Sequence, residues 1–300
     1  MTDARLRGAV GTGGLFLAVQ LLALAVAPRL ATDGVSYGSG GDALVPLVLG
    51  LVVGTILSLA VVRYRRSRRL VRAMMLVSLG VAVSLAPYAF FGPLAGLLAG
   101  TVAVVLAWRV PRWEVRNLVA VVGVAGAAGL FGASLSPPYA LAALALAAVY
   151  DAYAVYVSGH MKTLAVASER MDLPSMFVVP AGEGPRGGRL DLDATADRDM
   201  ERRGEPAATV LGAGDALFPA MLAASAAVHG AAGGWFGSAA SVAFGLVPTA
   251  LGALVGSVVG FAALQVLVQR RGGMYAGLPF INGGAMLGFL VAALASGIPF

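Results

Sequence analysis

Val210-Leu211-Gly212-Ala213-Gly214-Asp215-Ala216-Leu217 sets one carboxylic acid inside an otherwise apolar run. Upstream, Ala147-Ala148-Val149-Tyr150-Asp151-Ala152-Tyr153 does the same. Each stretch belongs to a longer apolar segment of bilayer-crossing length, where an ionised Asp at the helix centre costs about 2.5–3.5 kcal/mol. Acids in that setting face a bundle interior or a water-filled cavity, so function is their default reading. Every other one of the 15 acids lies in a loop, at a span edge or before the first span.

The chain around them is built for lipid. Of its 300 residues 59% are hydrophobic and 12% charged, and the mean hydropathy is +0.85, outside the balance of soluble domains. Without cysteine there are no disulfides, thiolate metal sites, iron–sulfur clusters or cysteine nucleophiles. The net charge of +6 does not point to nucleic acid, because the basic residues are scattered through short loops and form no stripe. His160 and His229 stand near span ends, and no HExxH zinc motif occurs, so neither metal nor cofactor is expected.

A helix needs about 20 apolar residues to cross the hydrocarbon core. That ruler places nine spans near 9–28, 43–62, 73–91, 93–110, 115–133, 138–157, 207–229, 239–266 and 278–297. Pro93, Pro138 and Pro279 stand near helix starts, where proline is tolerated, and Phe91-Gly92-Pro93 reads as a tight hairpin. The basic residues test the count, since alternate loops should carry them. Arg5 and Arg7 precede the first span, Arg63 to Arg72 follow the second, and Arg109, Arg112 and Arg116 follow the fourth. Lys162 to Arg203 occupy the loop after the sixth, and Arg270 and Arg271 precede the ninth, so all 21 basic residues except Arg29 fall on one side. The expectation is an all-α polytopic fold of nine transmembrane helices, with a cytoplasmic N-terminus and an external C-terminus. Arg5 and Arg7 before a run ending Ala25-Val26-Ala27 also fit a signal peptide. An uncleaved first span is expected, and the later spans keep their orientation either way.

Three regions follow. Residues 1–157 form a six-helix block carrying Asp151, residues 158–206 a cytoplasmic hydrophilic loop expected to be mobile, and residues 207–300 a three-helix block carrying Asp215. Within the loop, Met176-Phe177-Val178-Val179 reads either as an edge strand or as an apolar stretch lying on the membrane surface.

Depth decides whether the two acids can cooperate. The sixth span ends near Val157, which puts Asp151 roughly 9 Å below the cytoplasmic boundary; a seventh span starting near Ala207 puts Asp215 roughly 12 Å below it. The acids therefore meet on antiparallel neighbouring helices. Two carboxyls a few ångströms apart cannot both ionise cheaply, so such a pair holds one proton over a wide pH range. The ionised member can draw a proton from water while the protonated one polarises a scissile carbonyl, which suits peptide hydrolysis. Gly212 and Gly214 fit that task by letting another backbone approach, or by loosening the helix before Asp215.

Tyr150-Asp151 in a sixth span, Gly212-Ala213-Gly214-Asp215 in a seventh and a large loop between them resemble the YD and GxGD motifs of the presenilin and signal peptide peptidase family, in its archaeal type. That family's third motif, Pro-Ala-Leu with a further proline in presenilins, is matched by Ala276-Gly277-Leu278-Pro279, which keeps Leu278 and Pro279 and changes the first two residues. Neither of the first two motifs is specific alone, whereas the pair in consecutive spans is. The resemblance implies a GxGD-type intramembrane aspartic endopeptidase with Asp151 and Asp215 catalytic. It also implies Gly277, Leu278 and Pro279 at the substrate, and transmembrane helices of other proteins as substrates. Tyr150 would neighbour the pair, or simply pack between helices. An extended substrate could join strand-like backbone near Leu278 or in the loop.

Competing readings are weaker. Paired intramembrane acids and glycine-broken helices also mark a proton-coupled secondary transporter, but the two halves of the chain show no repeat. A prepilin-type peptidase also uses a GxGD aspartate, though nine spans with both acids buried fit the presenilin type better, and an idle scaffold leaves the acids without purpose. Gly92, Gly96 and Gly100, like Gly252, Gly256 and Gly260, read as smooth packing faces. Gly182 to Gly187 spells GxGxxG without a flanking strand and helix, and Gly132-Ala133-Ser134 lacks a histidine within reach. The Arg63 to Arg72 run reads as a topology anchor touching anionic lipid. With one Lys among 21 basic residues and no long external domain, the expected form is a multi-pass protein of a prokaryotic or archaeal cell membrane, working without obligate partner subunits.

Overall fold

A computed structural model describes residues 3–38, 40–63, 68–110, 112–158, 176–180, 208–230, 247–271 and 275–296. The described residues are almost all helical. In chain order they form α1 (Asp3–Thr32), a 3-10 turn (Gly40–Ala43), α2 (Leu44–Arg63), α3 (Arg68–Phe91), α4 (Pro93–Arg109), α5 (Trp113–Ser134) and α6 (Pro137–Tyr153), which runs on into a π-helical turn, Ala154–Ser158. Then come β1 (Met176–Pro180), β2 (Ala208–Gly212), α7 (Ala213–His229), α8 (Pro248–Arg271) and α9 (Leu278–Ala295). Among the described residues five helical segments are long and apolar enough to cross a membrane: Leu6–Thr32, Trp113–Ser134, Pro137–Val157, Pro248–Arg271 and Leu278–Ala295.

Local chemistry sets the helix ends. Gly92 takes φ 83, a conformation open to glycine, and Pro93 starts α4 directly, which makes the expected hairpin with α3. Prolines likewise stand in the first turns of α6 and α9, where their missing N–H costs nothing. Arg109 and the pair Arg270 and Arg271 close α4 and α8, where cations complement the helix dipole.

α5 is the most buried of the long apolar helices, and α1 packs against it while leaving Val10, Leu17 and Leu21 exposed. Phe16, Val19, Ala23, Val26 and Leu30 are fully buried along α1, packed against α5, α7 and α3, and Phe16 stacks on Phe261 of α8 at 5.0 Å. Glycines make the tightest helix contacts. A Cβ on Gly252, Gly256 or Gly260 of α8 would run into the carbonyls of Gly288, Gly284 or Phe280 on α9, so these two helices touch backbone to backbone. Gly96 and Gly100 do the same against Ser84 and Gly80 of α3.

The largest departure from expectation lies before Asp215. Residues 208–212 are not the first turns of a transmembrane helix but a strand, antiparallel to β1 with Phe177 opposite Leu211 and Val178 opposite Val210. Met176–Pro180 is therefore a strand, one of the two readings open for it. Thr209 and Val210 are β-branched and favour the pleat. The partner comes from the loop, and it is anchored by a residue on another helix. Asn117 of α5 donates from Nδ2 to the Val178 carbonyl at 2.8 Å and accepts the Val178 N–H at 3.0 Å through Oδ1. These two buried bonds contribute about 1 kcal/mol each. Gly8 and Gly11 of α1 lie against Thr209 and Val179, so the hairpin also rests on α1.

Candidate active site

Asp151 sits near the end of α6 with its carboxylate buried, and the widened π turn follows it at once. π turns relax the helix ladder and gather at functional sites. Tyr156 within this turn accepts the Ala276 N–H at 3.4 Å, and the Leu278 N–H donates to Asp151 Oδ2 at 3.0 Å. The run leading into α9 is thus held on the end of α6 by main-chain amides.

Asp215 reaches the same place by another route. Because β2 ends at Gly212, Asp215 is the third residue of α7 and stands in its first turn, not about eight residues into a helix. The strand pair ends where α7 begins, so it sets the position of the turn that carries Asp215. Gly212 caps α7, and a Cβ there would stand 3.1 Å from Asp215 Oδ2. A Cβ on Gly277 would stand 3.3 Å from both Asp215 oxygens. Gly277 therefore lies on one carboxylate while its neighbour Leu278 bonds the other, so two successive residues of one segment touch both acids.

The expected site residues divide accordingly. Asp151, Asp215, Gly212, Gly277 and Leu278 converge, and Pro279 follows in the first turn of α9. Gly212 serves as the strand-to-helix junction and loosens no helix. Among the described residues nothing lies within 4 Å of where a Gly214 Cβ would be. Tyr150 is 53% exposed among the described residues. The bare Cα of Gly277 lies close on the Asp215 carboxylate, with room for a methyl only if the carboxylate shifts by a few tenths of an ångström.

Reading the sequence for charges missed the buried amides. Gln20 of α1 lies fully buried and donates to the Ala216 carbonyl, next to Asp215, at 3.4 Å. Asn117 and Asn282 are also buried, as is the Ser225 hydroxyl on the Leu135 carbonyl at 2.6 Å. The signal was available, since any polar side chain within an apolar span must find a partner. Ser134 accepts the Tyr37 N–H and donates to the Leu130 carbonyl, a structural role. His229 closes the far end of α7 against the Gly132 and Ala133 main chain, so a histidine does reach the Gly132-Ala133-Ser134 run, contrary to expectation; His160 and the glycine run 182–187 lie outside the described residues. Among the described residues no three His, Asp or Glu gather to hold a metal.

Comparison with known proteins shows the family. The family model described as signal-peptide peptidase, presenilin aspartyl protease matches residues 13–298. Two crystal structures of a presenilin family intramembrane aspartate protease, in space groups C222 and P2, are 27% and 28% identical, with TM-scores of 0.62 and 0.63. Each match covers 95% of this chain and 97% of the other. No curated protein matches the sequence. This chain is an integral membrane protein of the signal-peptide peptidase and presenilin family of aspartyl proteases.

Proposed function

We propose that this protein hydrolyses peptide bonds within transmembrane helices of other membrane proteins, with Asp151 and Asp215 sharing one proton as a general acid/base pair. The observation that carries the reading is the double contact of one short segment, Gly277 on Asp215 and Leu278 on Asp151. One carboxylate takes a proton from a water as its oxygen attacks the scissile carbonyl carbon, and the other carboxyl gives its proton to the carbonyl oxygen. Collapse breaks the C–N bond, a proton passes to the leaving nitrogen, and a carboxylic acid and an amine result.

A substrate helix must give up internal hydrogen bonds to be cut, and its freed amides need partners inside the bilayer. The strand pair supports a place for them. Because Val178 spends its N–H and carbonyl on Asn117, it forms a non-hydrogen-bonded pair with Val210, and the Val210 main-chain groups point away from β1. An extended substrate adds to that edge. The space beside Gly214, clear of the described residues, leaves room for its backbone.

In this reading the chain has nine spans, a cytoplasmic N-terminus and an external C-terminus, in the cell membrane of a prokaryote or archaeon. The 1–157 and 207–300 blocks each bring one aspartate, the 158–206 loop supplies β1, and no obligate partner subunit is needed. The family assignment lends nothing to the transporter alternative. Purified protein in detergent should cleave a labelled transmembrane peptide, and Asp151→Ala or Asp215→Ala should each abolish the cut. Uptake of a solute by vesicles holding the protein, with no peptide cleaved, would reverse the conclusion.

A further inference from the structure

Asn282 is fully buried in α9, one turn beyond Leu278. Its Nδ2 donates to the main-chain carbonyl of Leu144 on α6 at 3.0 Å, while its Oδ1 is buried with no partner among the described residues. A leucine would fill such a site without an unpaired polar atom, so stability alone does not account for an amide there. Buried polar groups of this kind are best attested as devices that fix register between helices.

Register is what this site needs. The backbone-to-backbone contact of α8 with α9 runs over glycines, Gly252, Gly256 and Gly260 against Gly284 and Gly288, and offers few side chains to stop α9 sliding. On its other side α9 meets α6, and there the Leu278 N–H must reach Asp151 Oδ2 at 3.0 Å. One residue of helix rise is about 1.5 Å, so a slip of that size would break this bond. Asn282 lies about 6 Å along α9 from Leu278, and Leu144 about 10 Å along α6 from Asp151, both on the external side of the site. The two bonds therefore tie α6 to α9 at two depths.

We propose that Asn282 is a positioning residue that locks α9 in register on α6 and thereby holds the Leu278 amide on Asp151. The inference rests on the protease reading for its catalytic consequence, though not for the lock itself. The bond is directional and made by one side chain, so an apolar residue of similar size should keep the packing and lose the lock.

The test is Asn282→Leu in the full-length protein, read in two ways. The chain has no native cysteine, so spin labels can be attached at Leu146→Cys on α6 and Leu287→Cys on α9, which are 62% and 66% exposed. The distance distribution between them should be narrow with Asn282 present and broadened or displaced with Asn282→Leu. On a labelled transmembrane peptide, Asn282→Leu should lower kcat by at least about tenfold with KM within about twofold, and should move the pH profile, while the melting temperature stays close to that of the unsubstituted protein. An unchanged distance distribution would overturn the lock. So would a fall in activity that only follows the fraction folded, with the pH profile unmoved. If the unsubstituted protein cleaves nothing while the distances still broaden in Asn282→Leu, the protease reading fails and the lock stands.

Discussion

The Leu278 amide and the Asp151 carboxylate, on helices 127 positions apart in sequence, are joined by a 3.0 Å hydrogen bond. The residue before Leu278 is a glycine lying on the second carboxylate. The entry to α9 is thereby part of the site, and its exact shape should matter as much as the acids.

Gly277 gives a graded test of that statement. A Cβ would stand 3.3 Å from the Asp215 oxygens, a contact relieved by a shift of a few tenths of an ångström. Gly277→Ala should keep most of the activity, within about fivefold, whereas Gly277→Val, whose γ methyls have no such room, should lose at least about a hundredfold in kcat/KM. Steady-state cleavage of one peptide by both variants checks the order, and equal activities would contradict it.

Val210→Pro isolates the strand edge. The Val210 N–H does not serve the β1 pairing, so proline there removes only an outward donor. Folding should persist by circular dichroism while cleavage of a long substrate falls, with the loss expressed mainly in KM. Wild-type kinetics in this variant would mean that substrate does not add to β2.

Asn117→Leu should free β1 from α5. Losing both bonds to Val178 costs about 1–3 kcal/mol and leaves that backbone unpaired in an apolar setting. Proteolytic nicking between residues 158 and 206 should quicken, and peptide cleavage should drop although the variant touches neither aspartate. Limited proteolysis with mass spectrometry reads the first effect directly.

Gly256→Leu should fail as a fold. Its side chain would enter the Gly284 backbone on α9, and no rotamer avoids main chain on a neighbouring helix. Gly283→Ala, where nothing lies within 4 Å, is the matched control and should melt like the parent. Thermal unfolding in detergent compares them.

A shared proton predicts the pH response. If cleavage proceeds through the singly protonated pair proposed above, the rate should fall at both ends of the range, and the two apparent pKa values belong to the pair and to neither acid alone. A rate rising to a flat plateau at high pH would argue for one titrating carboxylate.

Much of this molecule is written in short-range features. Lipid residence follows from the length of the apolar runs, which needs no knowledge of neighbours. The two acids stand out because an isolated carboxyl in such a run is costly wherever the chain goes. The Phe91-Gly92-Pro93 turn and the glycine faces of α4 and α8 were equally legible, since backbone preference and the absence of Cβ are properties of the residues themselves.

Other features waited for the tertiary structure. Ala208 to Gly212 is apolar enough to begin a helix, and only the meeting with Phe177 and Val178, held by Asn117 from α5, makes it a strand. That choice moved Asp215 to the first turn of α7. Gly277 and Leu278 showed a partial motif in sequence, but their contact with both acids depends on α9 packing against α6. A five-residue segment can satisfy its main chain as helix or strand, and which it does depends on partners brought from elsewhere in the chain, so distance in sequence hides the answer until the fold closes.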